Sequence, residues 1–128
     1  MRKAFVLGLN AISVAALGLA ATPASAAWFN DPPVAVNDTL SVRCYGFFGV
    51  GVLGNDTDPD GDTLTIISVS HSRNEGNVDI AGGGTGLEYE SGSPGTDTIF
   101  YTVSDGHGGE DTAMVSVTIT GSHASCIP

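Results

Sequence analysis

Four aspartates, Asp56, Asp58, Asp60 and Asp62, alternate through "NDTDPDGD", with Gly61 before the last of them. Carboxylate oxygens at alternating positions can converge on one hard divalent cation such as calcium, and glycine permits the sharp turn such a loop needs. Just upstream, "GVGVLG" carries Gly49, Gly51 and Gly54 at a spacing that also suits a dinucleotide-binding turn. That alternative fails on context. A pyrophosphate requires a strand before the glycines and a helix N-terminus after them, whereas Gly54 is followed by Asn55, Asp56 and Pro59. Four carboxylates would also repel a phosphate. Gly49 and Gly51 are therefore expected to be strand or bulge residues where backbones approach closely.

The acidic segment is not a helix-flanked calcium loop, because counting Asp56 as its first position puts Ile67 where a bidentate glutamate is required. It can supply only part of a coordination shell. Other reactive residues are sparse. His71, His107 and His123 stand singly in turn-like or terminal contexts and are expected to be unengaged, and no serine lies in a nucleophile elbow. Glu88 and Glu90 flank Tyr89 on one strand face, which reads as a solvated side. A hydrolase would need a catalytic constellation that these residues do not form, so no enzyme activity is expected. "NDT" at Asn37 and Asn55 matches a glycosylation acceptor, relevant only if the source glycosylates.

The elements that must position the acidic loop follow from the rest of the 128 residues. Residues 1–26 read as a signal peptide: Arg2 and Lys3, an apolar run, then Ala24-Ser25-Ala26, with cleavage expected after Ala26 and secretion as its consequence. No second apolar stretch could span a bilayer. Cleavage would remove two of the four basic residues and none of the fourteen acidic ones, leaving Arg43 and Arg73 and a net charge of about −12. Such a surface repels nucleic acid and anionic lipid, and cations are its natural counterpart.

Residues 27–128 suit one domain. Short alternating runs place strands at 34–42 (expected to be broken), 47–53, 63–69 with an irregularity at Ile66-Ile67, 77–80, 87–90, 96–104 and 112–120. "AGGGTG" reads as a flexible hairpin turn. Seven short strands between Asp/Gly/Asn/Pro turns predict an all-β fold, an antiparallel Greek-key β-sandwich of immunoglobulin-like type.

In that topology Asn30-Asp31, Asp56 to Asp62, and Asp105 with Asp111 all fall at one end. The candidate metal ligands are Asn30, Asp31, Asp56, Asp58, Asp60, Asp62 and Asp105, since a divalent cation would relieve the repulsion among them. The first and last strands run parallel, so Cys44 and Cys126 can meet at the other end as a disulfide. Free thiols or an intermolecular bridge are the alternatives.

"PPVAVNDT", "VLGNDTDPDGDTLTI" and "DTIFYTVSDGHGGEDTAMVSVTIT" closely resemble the bacterial cadherin-like, immunoglobulin-like repeat of VCBS type, over nearly all of residues 31–120. The resemblance implies a β-sandwich, calcium-supported rigidity and a role in adhesion or extracellular architecture. By the same likeness Asp58 and Asp60 resemble the paired aspartates of the cadherin "DxD" motif, Asp105 the aspartate after the sixth strand, and Asn30-Asp31 the end of the linker motif. Such repeats usually stand in series, and this sequence holds one copy. Their acidic "EG" turn after the first strand is replaced here by "RCYGFFG".

The expectation is a secreted, non-enzymatic, calcium-binding cadherin-like module for adhesion or surface architecture. The alternative is a small secreted recognition protein for a glycan or a protein partner, with calcium only structural. For that second reading Trp28, Phe47 and Phe48 are the candidate sticky patch, one of the two phenylalanines facing the core.

Overall fold

The computed structural model describes residues 29–73, 75–122 and 124–126. The expected leader, Trp28 and His123 lie outside them. Met1–Asn30 and Asp31–Pro128 form separate units, and every strand among the described residues lies in the second. Among the described residues no helix is long and apolar enough to cross a membrane.

Period-two alternation builds the strands. In β6 (Gly95–Ser104) Asp97, Ile99, Tyr101 and Val103 are buried, and in β7 (Glu110–Thr120) Ala113, Val115, Val117 and Ile119 are. Each such face must be covered, since burying a Val, Leu or Ile side chain stabilises by about 1.5–3 kcal/mol. The remaining strands are β1 (Asp38–Arg43), β2 (Phe47–Val50), β3 (Thr65–His71), β4 (Asn77–Ala81) and β5 (Gly86–Glu90). They form a four-stranded sheet, β1-β7-β6-β3, and a three-stranded sheet, β2-β5-β4, consistent with the Greek-key order expected. One core cluster draws on both sheets, with Tyr89 and Tyr101 its largest buried side chains.

Several boundaries differ from the sequence reading. The first strand is indeed broken: Val34 makes an isolated bridge to Thr57 before β1 begins at Asp38. β2 stops at Val50 and not at Leu53, because Leu53–Asn55 winds into a single 3-10 turn under buried Val52. β3 begins at Thr65, and its register shifts between Ile66 and Ser68 as the paired isoleucines required. Gly49 and Gly51 do not mark a close approach, since a Cβ added at either would meet nothing within 4 Å. The glycine cluster is not a loose turn either: the Ile66 N–H donates to the Gly84 carbonyl at 2.8 Å, tying it to β3. Phe48 is the inward phenylalanine and Phe47 faces solvent, 71% exposed.

Pairing fixes which ends meet. Thr65 opposite Ser104 and Ser104 opposite Glu110 gather the start of β3, the end of β6 and the start of β7 at one pole. β1 runs parallel to β7, so Arg43 pairs with Thr120 at the other pole. There Cys44 and Cys126 form the disulfide, with Cα atoms 5.6 Å apart and a sequence separation of 82. Gly121, at φ +141°, lets the chain pass over it: a Cβ there would stand 2.3 and 2.6 Å from the two sulfurs.

Loop-closure entropy over that separation predicts that the double variant Cys44→Ser/Cys126→Ser loses about 4 kcal/mol of unfolding free energy, read from urea denaturation. Mass spectrometry of the parent should show one internal bridge.

Candidate metal centre

The β2–β3 loop is organised by one carboxylate. Asp58 Oδ1 accepts the N–H groups of Asp60 at 2.8 Å and Asp62 at 3.2 Å, an Asx-type turn closed by the Gly61 N–H on the Asp58 carbonyl at 3.0 Å. The loop entrance is pinned by the reciprocal Val34–Thr57 backbone bonds of 2.8 and 3.0 Å. With Oδ1 committed to the turn, Asp58 Oδ2 is left buried without a hydrogen-bond partner.

The β6–β7 loop brings the next carboxylate to the same place. Asp105 is buried, and its Oδ1 accepts the N–H groups of His107 at 2.7 Å and Gly109 at 2.9 Å. Only glycine fits at 109, since a Cβ would lie 2.1 Å from Asp105 Oδ2 and 3.0 Å from Pro32 Cα. As a result Asp58, Asp62 and Asp105 each present a carboxylate oxygen within 4.8 Å of the other two. Three hard oxygens from two loops could hold a divalent cation of the kind that oxygen ligands favour.

The other sequence candidates have different settings. Asp60 Oδ2 accepts the Asp31 N–H at 2.8 Å, so these two meet at the rim and link the chain before β1 to the loop. Asn30 is exposed and belongs to the separate unit Met1–Asn30. Asp111 Oδ2 accepts the Ala35 N–H at 2.8 Å. Asp56 turns inward, away from the trio. Its Oδ1 takes the Val36 N–H at 2.7 Å, and its Oδ2 lies 3.1 Å from the Tyr101 hydroxyl. That hydroxyl, with one proton to donate, also lies near the Val36 carbonyl at 3.1 Å and Asp38 Oδ2 at 3.2 Å. Burial holds the Asp56 carboxyl above its ordinary value of 3.8, ahead of the lowering effect of the Val36 N–H and the Tyr101 hydroxyl.

Two of the histidines are engaged, contrary to the reading of them as solitary. His107 Nδ1 is 3.1 Å from Asp62 Oδ2 at the rim of the trio. His71 Nδ1 is 3.2 Å from Oδ2 of Asp97, a carboxylate outside the set of candidate metal ligands. Asp97 is buried and ringed by donors: the Tyr89 hydroxyl at 2.8 Å on Oδ2, and the Thr98 N–H at 2.8 Å, the Ser72 hydroxyl at 3.0 Å and the Ser72 and Arg73 N–H groups at 3.2 Å on Oδ1. Burial alone would raise this carboxyl, yet the bonds from Tyr89, Thr98, His71 and Ser72 outweigh it and hold it below 3.8. The signal was in the alternation, which puts a carboxylate in phase with Ile99, Tyr101 and Val103.

A family model described as bacterial Ig domain matches residues 30–118. No curated protein is similar enough to count as a relative. Among solved structures, a nucleoside hydrolase-related hypothetical protein from Saccharophagus degradans, associated with carbohydrate metabolism, shares 19% identity over 71% of this chain and 26% of its own, with a TM-score of 0.56. A putative alpha-galactosidase/melibiase from Bacteroides fragilis shares 11% identity over 74% of this chain and 19% of its own, TM-score 0.51. An endo-fucoidan hydrolase from glycoside hydrolase family 107 shares 17% identity over 87% of this chain and 16% of its own, TM-score 0.51. The chain thus spans about a quarter or less of each, and the likeness is one of fold.

Acid should act on the two inward carboxylates in opposite senses. Asp56, raised above 3.8, binds its proton more readily folded than unfolded, so its contribution to stability grows as pH falls from neutral toward 3.8. Asp97, lowered, contributes fully above 3.8 and loses that contribution as pH falls through its own folded value. Urea unfolding followed down to about pH 2 should therefore show a steep loss below 3.8 in the parent. Asp97→Asn should be weaker at neutral pH by at least about 2 kcal/mol, with a flatter acid limb. An unchanged limb would assign the acid loss to other carboxylates.

Proposed function

Since the chain belongs to the bacterial Ig domain family, we propose that it is a secreted, non-catalytic module whose acidic pole binds calcium and which serves adhesion or extracellular architecture as cadherin-like domains do. The observation that carries the reading is the buried, partnerless Asp58 Oδ2 beside Asp62 and Asp105. A carboxylate oxygen removed from water with no donor is costly, and a cation supplies the missing partner. Calcium suits the spacing: its ligand distances of about 2.3–2.6 Å allow two ligands of one ion to stand about 5 Å apart, which covers the trio. Calcium takes six to eight oxygens, so water or further carbonyl groups would complete the shell around these three. The ion would join the β2–β3 loop to the β6–β7 loop and stiffen that pole.

The alternative, a recognition protein in which calcium is only structural, draws on the solvent-facing ring of Phe47. The similar structures include proteins that act in carbohydrate metabolism, which is in keeping with a glycan partner for such a module.

Calcium that binds only the folded state raises stability by mass action, about 2.7 kcal/mol at a hundredfold excess over Kd, and the Tm by roughly 10–20 °C for a domain of this size. Thermal melts in calcium and in chelator should differ in this way for the parent and coincide for Asp58→Asn and Asp62→Asn. Asp79→Asn should keep the difference. Reducing the disulfide should lower stability equally with and without calcium, because the two sites lie at opposite poles. Coincident melts of the parent at millimolar calcium would refute the calcium reading.

A further inference from the structure

The outward face of the three-stranded sheet carries a pattern that the calcium reading does not use. Register sets Phe47, Glu90 and Asn77 in one row across β2, β5 and β4, and Gly49, Glu88 and Asp79 in the next. All six are exposed. Asp79 and Glu88 stand directly opposite each other, a destabilising like-charge pair. Among the described residues no ion pair includes Asp79, Glu88 or Glu90, and Arg73 is engaged with Glu75 at 2.9 Å. Beside these carboxylates Gly49 leaves open space and Phe47 forms the wall.

Phe47 is held in place by its turn. Cys44 is tied by the disulfide, the Tyr45 N–H donates to the Gly92 carbonyl at 3.1 Å, and Gly46 and Ser91 exchange bonds of 2.9 Å through backbone and hydroxyl groups. Tyr45 sits at φ +49°, a left-handed conformation that is strained for a non-glycine residue. The Phe48 ring lies against Gly46, where an added Cβ would meet it at 2.3 Å, and fixes the inward phase that turns Phe47 out. The backbone that presents this exposed aromatic is thereby fixed, and so its ordering costs little on contact with a partner.

We propose that this face docks an extended basic segment of another protein, an arginine or lysine of that segment covering the Phe47 ring and its neighbours pairing with Glu90, Glu88 and Asp79. Charge decides the class of partner. A cation gains from the ring quadrupole and from the carboxylates together, whereas a neutral glycan could stack on the ring but would leave the carboxylates uncompensated. An acidic polymer would be repelled.

The probe is a synthetic peptide alternating arginine and serine, titrated into isotopically labelled protein in calcium and followed by amide shifts. Its citrulline counterpart and a neutral gluco-oligosaccharide are the controls. Shifts should centre on Phe47, Gly49, Asp79, Glu88 and Glu90 and be absent with citrulline. Phe47→Ala should weaken binding about tenfold, and the pair Glu88→Gln/Glu90→Gln should weaken it similarly and flatten its salt dependence. Both variants change exposed side chains, and a Tm no lower than that of the parent verifies their fold. Shifts centred on Asp58, Asp62 and Asp105, full affinity in Phe47→Ala, or perturbation of this face by the oligosaccharide in place of the basic peptide would each overturn the proposal. The calcium melts are unaffected by any of these outcomes.

Discussion

A carboxylate taken out of water must be given hydrogen-bond donors or a cation, and this requirement organises both ends of the sandwich. Asp97 meets it with five residues, Tyr89, His71, Ser72, Arg73 and Thr98, which together fasten the segment after β3 to the start of β6 and to the inner face of β5. Asp105 meets it within its own loop and so sets the shape of the β6–β7 connection. Asp56 meets it through Val36 and Tyr101, drawing the chain before β1 against the core. In Asp58 the requirement is half met. The oxygen that shapes the loop is satisfied and its twin is not.

Much of this architecture was legible because its strands face a core on one side only. Alternation located β6 and β7 nearly to the residue, and the doubled isoleucine at 66 and 67 announced the bulge, since only one of the pair can stay in phase. The end of β2 was not legible. Val50 and Val52 continue the apolar alternation, but Val52 reaches the core from the start of a 3-10 turn and not from a strand. Tertiary contact overrode the local pattern.

The acidic loop was legible as a cluster and not as a division of labour. Spacing treats Asp56, Asp58, Asp60 and Asp62 alike, whereas depth separates them. Asp56 follows the 3-10 turn and reaches inward to Tyr101; Asp58 and Asp62 approach Asp105 from the other loop; Asp60 receives the chain at Asp31. Depth depends on where Pro32 and Tyr101 sit, which no local spacing encodes. Asp97 shows the converse: its inward phase was readable, but a search for motifs passes over a single aspartate inside a strand.

The disulfide acquires a mechanical meaning from the parallel pairing of β1 with β7. β1 enters at the acidic pole and Cys44 follows its last residue, while Cys126 lies beyond β7. A tensile load applied between Asp31 and Cys126 would pass along β1, cross the bridge and bypass everything from Tyr45 to Ser125. Only residues 31–44 could then be drawn out, about 45–50 Å of chain at full extension. The load would run through the backbone of β1 and the covalent bridge and not through the six residue pairs joining β1 to β7, so the rest of the sandwich would stay folded under tension behind a covalent stop.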